Sequence, residues 1–117
     1  MLPKVAILTL NWNGLKHLEY FLPRAINQDY GNYFIIVIDN GSTDNSVEYV
    51  KSKYPNVEIL ELGENLGYSK GFNKGINYAI GKGSDYLLIT NNDVKLDKYI
   101  ISEGIKLALK DRKIGYQ

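Results

Sequence analysis

The 117-residue chain contains no cysteine, so a disulfide framework and a thiolate metal site are both excluded and the fold must rest on packing. Long apolar runs are missing too. The longest, Phe34 to Ile38 and Tyr86 to Ile89, fall far short of the roughly 20 residues a spanning helix needs. The start, Met1-Leu2-Pro3-Lys4, runs straight into a strand pattern without the small-residue cleavage site of a secretory signal, so a cytoplasmic location is expected. No excess of charge of one sign exists: the formal net charge is +1, which calls for neither nucleic acid nor a membrane surface. A Gly-x-Gly-x-x-Gly after the first strand and a Gly-Lys-Ser/Thr ending are also absent, which removes the dinucleotide fingerprint and the P-loop. The only histidine, His17, is expected on a solvated helix face.

What is present is an alternation of strands and helices. Val5 to Leu10 is a β-rich run closed by the turn residues Asn11-Trp12-Asn13-Gly14. Leu15, Leu18, Leu22, Ala25 and Ile26 recur at helical spacing. Phe34 to Ile38 is apolar on both faces, as a central strand covered by helices should be, and stops at Asp39-Asn40-Gly41. A second helix follows with Val47, Val50 and Tyr54 as its buried stripe, and Pro55-Asn56 ends it. Val57 to Leu62, with Glu58 and Glu61, reads as an edge strand. Phe72, Ile76 and Ile80 mark a third helix ended by Gly81-Lys82-Gly83. Asp85 to Thr90 is the fourth strand, and Asp97 offers an N-cap for a helix carrying Ile100, Ile101, Ile105, Ala108 and Leu109.

This order predicts one three-layer α/β/α domain over residues 1–117, with a mainly parallel sheet and right-handed crossovers. Ligands of such sheets bind beyond the carboxyl ends of the strands, which directs attention to Asn11 to Asn13, Asp39 to Ser42, and Asn91 to Asp93. Asp39 directly follows a buried strand, and a carboxylate fixed there can accept the imide N–H of uracil or thymine. Asp44 has two readings, a helix cap or a site residue. Trp12 either stacks on a base or packs half-buried. One carboxylate beside amides in Asn91-Asn92-Asp93 suits Mg²⁺ or Mn²⁺ shared with diphosphate oxygens, the plainer reading being an Asx-turn. The loop Asn65 to Gly71, with Gly67 and Lys70, lets backbone and a helix N-terminus approach phosphate.

Four segments together, Leu10-Asn11-Trp12-Asn13-Gly14, Asp39-Asn40-Gly41-Ser42-Thr43-Asp44, Asn65-Leu66-Gly67 and Leu88-Ile89-Thr90-Asn91-Asn92-Asp93-Val94, resemble a family 2 glycosyltransferase of the GT-A fold. The early Asn-Trp-Asn-Gly and the Asn-Asn-Asp motif resemble the rhamnosyltransferase-like enzymes of bacterial cell-surface polysaccharide assembly. The resemblance covers essentially the whole chain and implies a Rossmann-like strand order of 3-2-1-4. It further implies a nucleotide-sugar site of Leu10, Asn11, Trp12, Asp39, Gly67, Lys70, Asn91 and Asn92, with Asp93 holding Mg²⁺ or Mn²⁺. In that site Asp39 contacts the pyrimidine of a UDP- or dTDP-sugar, Trp12 lies against the base, and Asn92 faces ribose or phosphate.

Two departures qualify the resemblance. The family's Asp-x-Asp is reduced here to Asn91-Asn92-Asp93, which removes a negative charge from the metal site. The acceptor-binding part and the aspartate acting as general base are expected beyond Gln117, so the implied inverting transfer to an acceptor hydroxyl is expected to be incomplete in this chain. The competing readings are a non-catalytic nucleotide- or protein-binding α/β module and a receiver-like domain; the latter wants an acidic pair where Asn11 and Asn13 stand. An apolar edge left open at the fourth strand predicts a homodimer.

Overall fold

The computed structural model describes residues 2–115. Four strands, β1 (Val5–Asn11), β2 (Tyr33–Asp39), β3 (Glu58–Glu61) and β4 (Tyr86–Asn91), alternate with α1 (Leu15–Ala25), α2 (Ser46–Lys53), α3 (Tyr68–Gly81) and α4 (Ile100–Gly115). The sheet has the order β3-β2-β1-β4, and every pairing is parallel. Strand succession therefore reverses between β1 and β4, and the expected order and layer architecture are both found.

The in-register pairing Val5↔Tyr33 and Val5↔Tyr86 places alternate residues of the central strands on common faces. On one face Val5, Ile7, Ile35 and Val37 pack with Leu18, Phe21, Leu22 and Ala25 of α1, Val50 of α2, and Ile101 and Ile105 of α4. On the other, Ala6, Leu8, Ile36 and Ile38 meet Phe72 and Ala79 of α3. One helix thus covers the second face, and it comes very close: a Cβ on Gly75 would lie 2.1 Å from Ile38 Cδ1. At Gly71 the same addition would lie 2.8 Å from Leu10 Cδ1.

Some predicted core positions are exposed. Ile26 is the C-cap just past the end of α1, its N–H bonded to the Leu22 carbonyl at 3.0 Å and its side chain exposed. Ile80 faces solvent because Gly71, Gly75 and Ala79 carry the inner face of α3. Ile100 and Leu109 are likewise on the outside of α4. The third strand is shorter than expected, Glu58–Glu61, and sits at the sheet edge. Its outward charges are paired: Glu61 with Lys51 at 2.8 Å, and Glu58 with Lys82 at 3.5 Å. Asp97 accepts from the Tyr99 N–H at 2.9 Å, which orders the turn ahead of α4. His17 is exposed on α1, as expected.

Candidate functional site

The carboxyl ends of β1, β2 and β4 bring Asn11, Asp39 and Asn91 to one rim. Asn11 and Asp39 are register partners, and both are buried, Asn11 completely. The sheet ladder continues past the strand ends, with the Asn40 N–H donating to the Asn11 carbonyl at 2.8 Å and the Leu62 N–H to the Asp39 carbonyl at 2.9 Å.

Asp39 Oδ1 accepts from Ser42 Oγ at 2.7 Å and from Asn11 Nδ2 at 3.1 Å. Oδ2 accepts from the Ser42 N–H at 2.9 Å. A carboxylate offers about four acceptor directions. One direction on Oδ2 therefore has no partner among the described residues. Asp39 also lines a polar cavity of about 500 Å³ together with Gly41, Ser42, Asp44 and the Lys51–Glu61 pair.

Ser42 Oγ is saturated: it donates to Asp39 and accepts from Asn11 Nδ2 at 3.2 Å and from the Asn13 N–H at 2.9 Å. Asn13 adopts a left-handed conformation at φ 50°, which asparagine tolerates better than most residues. From there its Oδ1 accepts from the N–H groups of Thr43, at 2.7 Å, and Asp44, at 3.2 Å. Asp44 is the capping residue of its two readings. Its Oδ1 accepts from the N–H and hydroxyl of Ser46 at the start of α2, and its Oδ2 from the Leu15 N–H at the start of α1. Burial pushes its carboxyl up, but these hydrogen bonds outweigh it and hold the pKa below the ordinary carboxylate value.

A second amide arranges the glycine loop. Buried Asn40 donates through Nδ2 to Asn65 Oδ1 at 3.1 Å and to the Gly67 carbonyl at 3.3 Å, while its Oδ1 accepts from the Leu66 N–H at 2.9 Å. Gly67 has φ 87°, a region where a Cβ is disfavoured, and it leads directly into α3. Lys70 stands exposed in the first turn of that helix, and Leu10 lies beneath it against Gly71.

On the other side, Asn91 and Asp93 are exposed at the end of β4, and Trp12 projects from the end of β1 with 56% of its surface open. Asn92 turns inward and donates from Nδ2 to Asn11 Oδ1 at 2.8 Å. Among the described residues no group of three or more His, Cys, Asp or Glu is placed to hold a metal ion. Asp93 is thus a single carboxylate beside two amides. That donor set fits a hard divalent ion only when water and phosphate oxygens complete the shell.

Asn13, Asn40 and Ser42 fall within the strand-end segments the sequence points to, and Gly14 within a motif, yet sequence reasoning gives none of the four a role, and they organise the rim. The available signal is the density of Asn, Ser and Gly immediately after two adjacent strands, residues that hydrogen-bond backbone in place of regular structure.

A parallel 3-2-1-4 sheet with a polar rim at its switch point and a glycine loop opening a helix defines a Rossmann-like α/β domain of the GT-A type. The chain belongs to glycosyl transferase family 2, whose pattern matches residues 5–117. It is 37% identical over 68 residues to the N-acetylglucosaminyl-diphospho-decaprenol L-rhamnosyltransferase of Mycobacterium tuberculosis, covering 58% of this chain and 21% of that protein. Among solved structures it resembles S. aureus TarS in complex with UDP (TM-score 0.78, 19% identity, 93% of this chain and 33% of that one). It also resembles the mannosyltransferase PcManGT from Pyrobaculum calidifontis in complex with GDP-Man and Mn²⁺ (TM-score 0.67, 23% identity, 78% and 28%). At those identities the structural likeness establishes the fold. The chain spans about a third or less of the length of these relatives.

Proposed function

We propose that this chain is the donor-binding part of an inverting glycosyltransferase that takes a UDP- or dTDP-sugar and serves cell-surface polysaccharide synthesis. The observation that carries the reading is the uncommitted acceptor direction on Asp39 Oδ2 at a cavity of about 500 Å³. An acceptor-only group held at a strand end suits an imide N–H, which uracil and thymine both carry. Guanine also carries a donor N1–H, so preference for a pyrimidine would rest on the smaller ring and not on the carboxylate alone.

The rest of the site follows from that placement. Trp12, exposed directly after Asn11 at the end of β1, would supply an apolar plane for the base. The Gly67 loop and the first N–H groups of α3 favour negative charge, and Lys70 adds a mobile cation for the diphosphate. Asp93, with Asn91 and Asn92 beside it, would hold Mg²⁺ or Mn²⁺ jointly with the diphosphate, and the ion would offset the charge of the leaving group. The chain's own residues bind and orient the donor. Deprotonation of an acceptor hydroxyl falls to a carboxylate outside this chain, so alone it binds nucleotide and transfers little or no sugar.

Two further features belong to this reading. Among the described residues no helix is long and apolar enough to cross a membrane. The rhamnosyltransferase relative is named for a decaprenol-linked acceptor, which supports work at the inner, cytoplasmic face of the membrane by the full-length enzyme. Among the described residues strand β4 pairs with β1 alone, and its free edge suits a second copy of the chain.

Calorimetric titration of UDP, dTDP and GDP, each with and without Mn²⁺, tests the proposal. Binding of the two pyrimidine nucleotides in preference to GDP, lost in Asp39→Ala, is the expected result. Nucleotide binding left unchanged by Asp39→Ala would remove Asp39 from base recognition.

A further inference from the structure

The Asn11 side chain is completely buried, and no water competes for it. Its two ends have different chemistry, and each has a fixed neighbour. Nδ2 faces Asp39 Oδ1 at 3.1 Å, and Oδ1 faces Asn92 Nδ2 at 2.8 Å. Which end of an asparagine amide points where is decided by the hydrogen-bond network around it. Here the network starts from groups that have no choice. The Ser42 backbone N–H can only donate and an ionised carboxylate can only accept, so the Asp39 side of Asn11 must be its NH₂. The far side is then its carbonyl, which Asn92 must meet with an NH₂. The Asn92 carbonyl oxygen is left as the atom free of Asn11.

We propose that Asn11 is a positioning residue: its buried amide relays the polarity of Asp39 to Asn92, so that the base end and the diphosphate end of the site are aligned as one unit. This rests on reading Asp39 as the residue that contacts the base. It accounts for two sequence features together. An aspartate at position 92 would put oxygen against oxygen at Asn11 Oδ1. Position 14 must be glycine, since a Cβ there would lie 2.6 Å from Asn11 Oδ1 and 2.9 Å from Asn92 Nδ2, the two atoms of the bond. Gly14 has an ordinary negative φ of −109°, so space and not backbone conformation excludes a side chain. The Asn-Trp-Asn-Gly motif thus supplies both the relay and the room for it.

The test uses the full chain, isotope-labelled, with uridine as probe because it carries neither charge nor phosphate. In Asp39→Asn the Ser42 N–H still demands an oxygen, so the new NH₂ faces Asn11 and inverts it. The Asn92 side-chain amide, which does not touch residue 39, is then expected to change its NMR shift and exchange faster with solvent. An Asn92 amide unchanged in Asp39→Asn overturns the relay, whatever nucleotide binding does. For function, Asn92→Asp is expected to weaken uridine about fivefold or more, a typical coupling between sites. Asn92→Ala, which removes the group without inverting Asn11, is expected to cost less, whereas a merely structural role would make the isosteric variant the milder one. Gly14→Ala should behave like Asn92→Asp if folded; should it not fold, the two Asn92 variants, at the half-exposed rim, carry the comparison. If Asn92 responds to Asp39→Asn while uridine binds neither wild type nor any variant, the reading of Asp39 as base contact falls and the relay loses its functional role. If uridine binds through Asp39 and both Asn92 variants leave it unchanged, the coupling alone is overturned.

Discussion

Gly75 of α3 lies so close to Ile38 of β2 that the helix and the sheet leave no space for a methyl group between them. A Cβ would fall 2.1 Å from Ile38 Cδ1 and 3.3 Å from Leu8 Cδ2. Gly75→Ala is therefore expected to lower stability by ~1–3 kcal/mol despite the better helix propensity of alanine. Urea denaturation monitored by circular dichroism measures it, and a variant as stable as wild type would show that α3 can lift off without cost.

Acid sensitivity should concentrate at Asp44. Its folded-state pKa is below the ordinary value, so the unfolded chain binds more protons in the window between the two and stability rises with pH there. The contribution is complete above the ordinary carboxylate range and is lost as pH falls through the depressed value. Asp44→Asn should flatten the acid limb of the stability profile and cost little extra at its foot. An acid limb unchanged by the substitution would assign that slope to other carboxylates.

Metal binding should require nucleotide. With one carboxylate in the motif, Mn²⁺ alone is expected to bind far more weakly than Mn²⁺ with UDP. Asp93→Ala should abolish the gain in UDP affinity that Mn²⁺ brings while leaving metal-free uridine binding intact. Retention of that gain in the variant would place the ion elsewhere.

The free edge of β4 predicts association that rises with concentration. Ile89, 45% exposed on this strand, is a suitable position for a charge, and Ile89→Lys should shift sedimentation toward the monomer. A wild-type chain that stays monomeric at high concentration would count against pairing through this edge.

The element order and the rim were legible in the sequence because strand and helix periods differ and turn residues punctuate them. The register of β1 with β2 puts Asn11 beside Asp39, and both lie at predicted strand ends. The inner face of α3 was not legible: periodicity searches for large apolar residues, and this helix approaches through Gly71, Gly75 and Ala79, leaving Ile80 outside. Nor could spacing show that Asn11 is sealed inside while Trp12, its neighbour, is open, because side chains at a strand end alternate between interior and solvent. Asp44 illustrates the same limit. Its role as cap to two helices depends on α1 and α2 starting side by side, a tertiary fact that no local pattern contains.

Both asparagines that shape the loops of the rim, Asn13 and Asn40, precede a glycine. Asn–Gly steps are where a backbone nitrogen most readily attacks the side-chain carbonyl, since glycine places no Cβ in the way of ring closure. In the folded protein the Asn40 amide is buried and bound at both ends, and Asn13 Oδ1 is held by the Thr43 and Asp44 N–H groups. The hydrogen bonds that order the rim therefore also slow its chemical ageing, and unfolded chain is the form in which deamidation at these two steps is fastest.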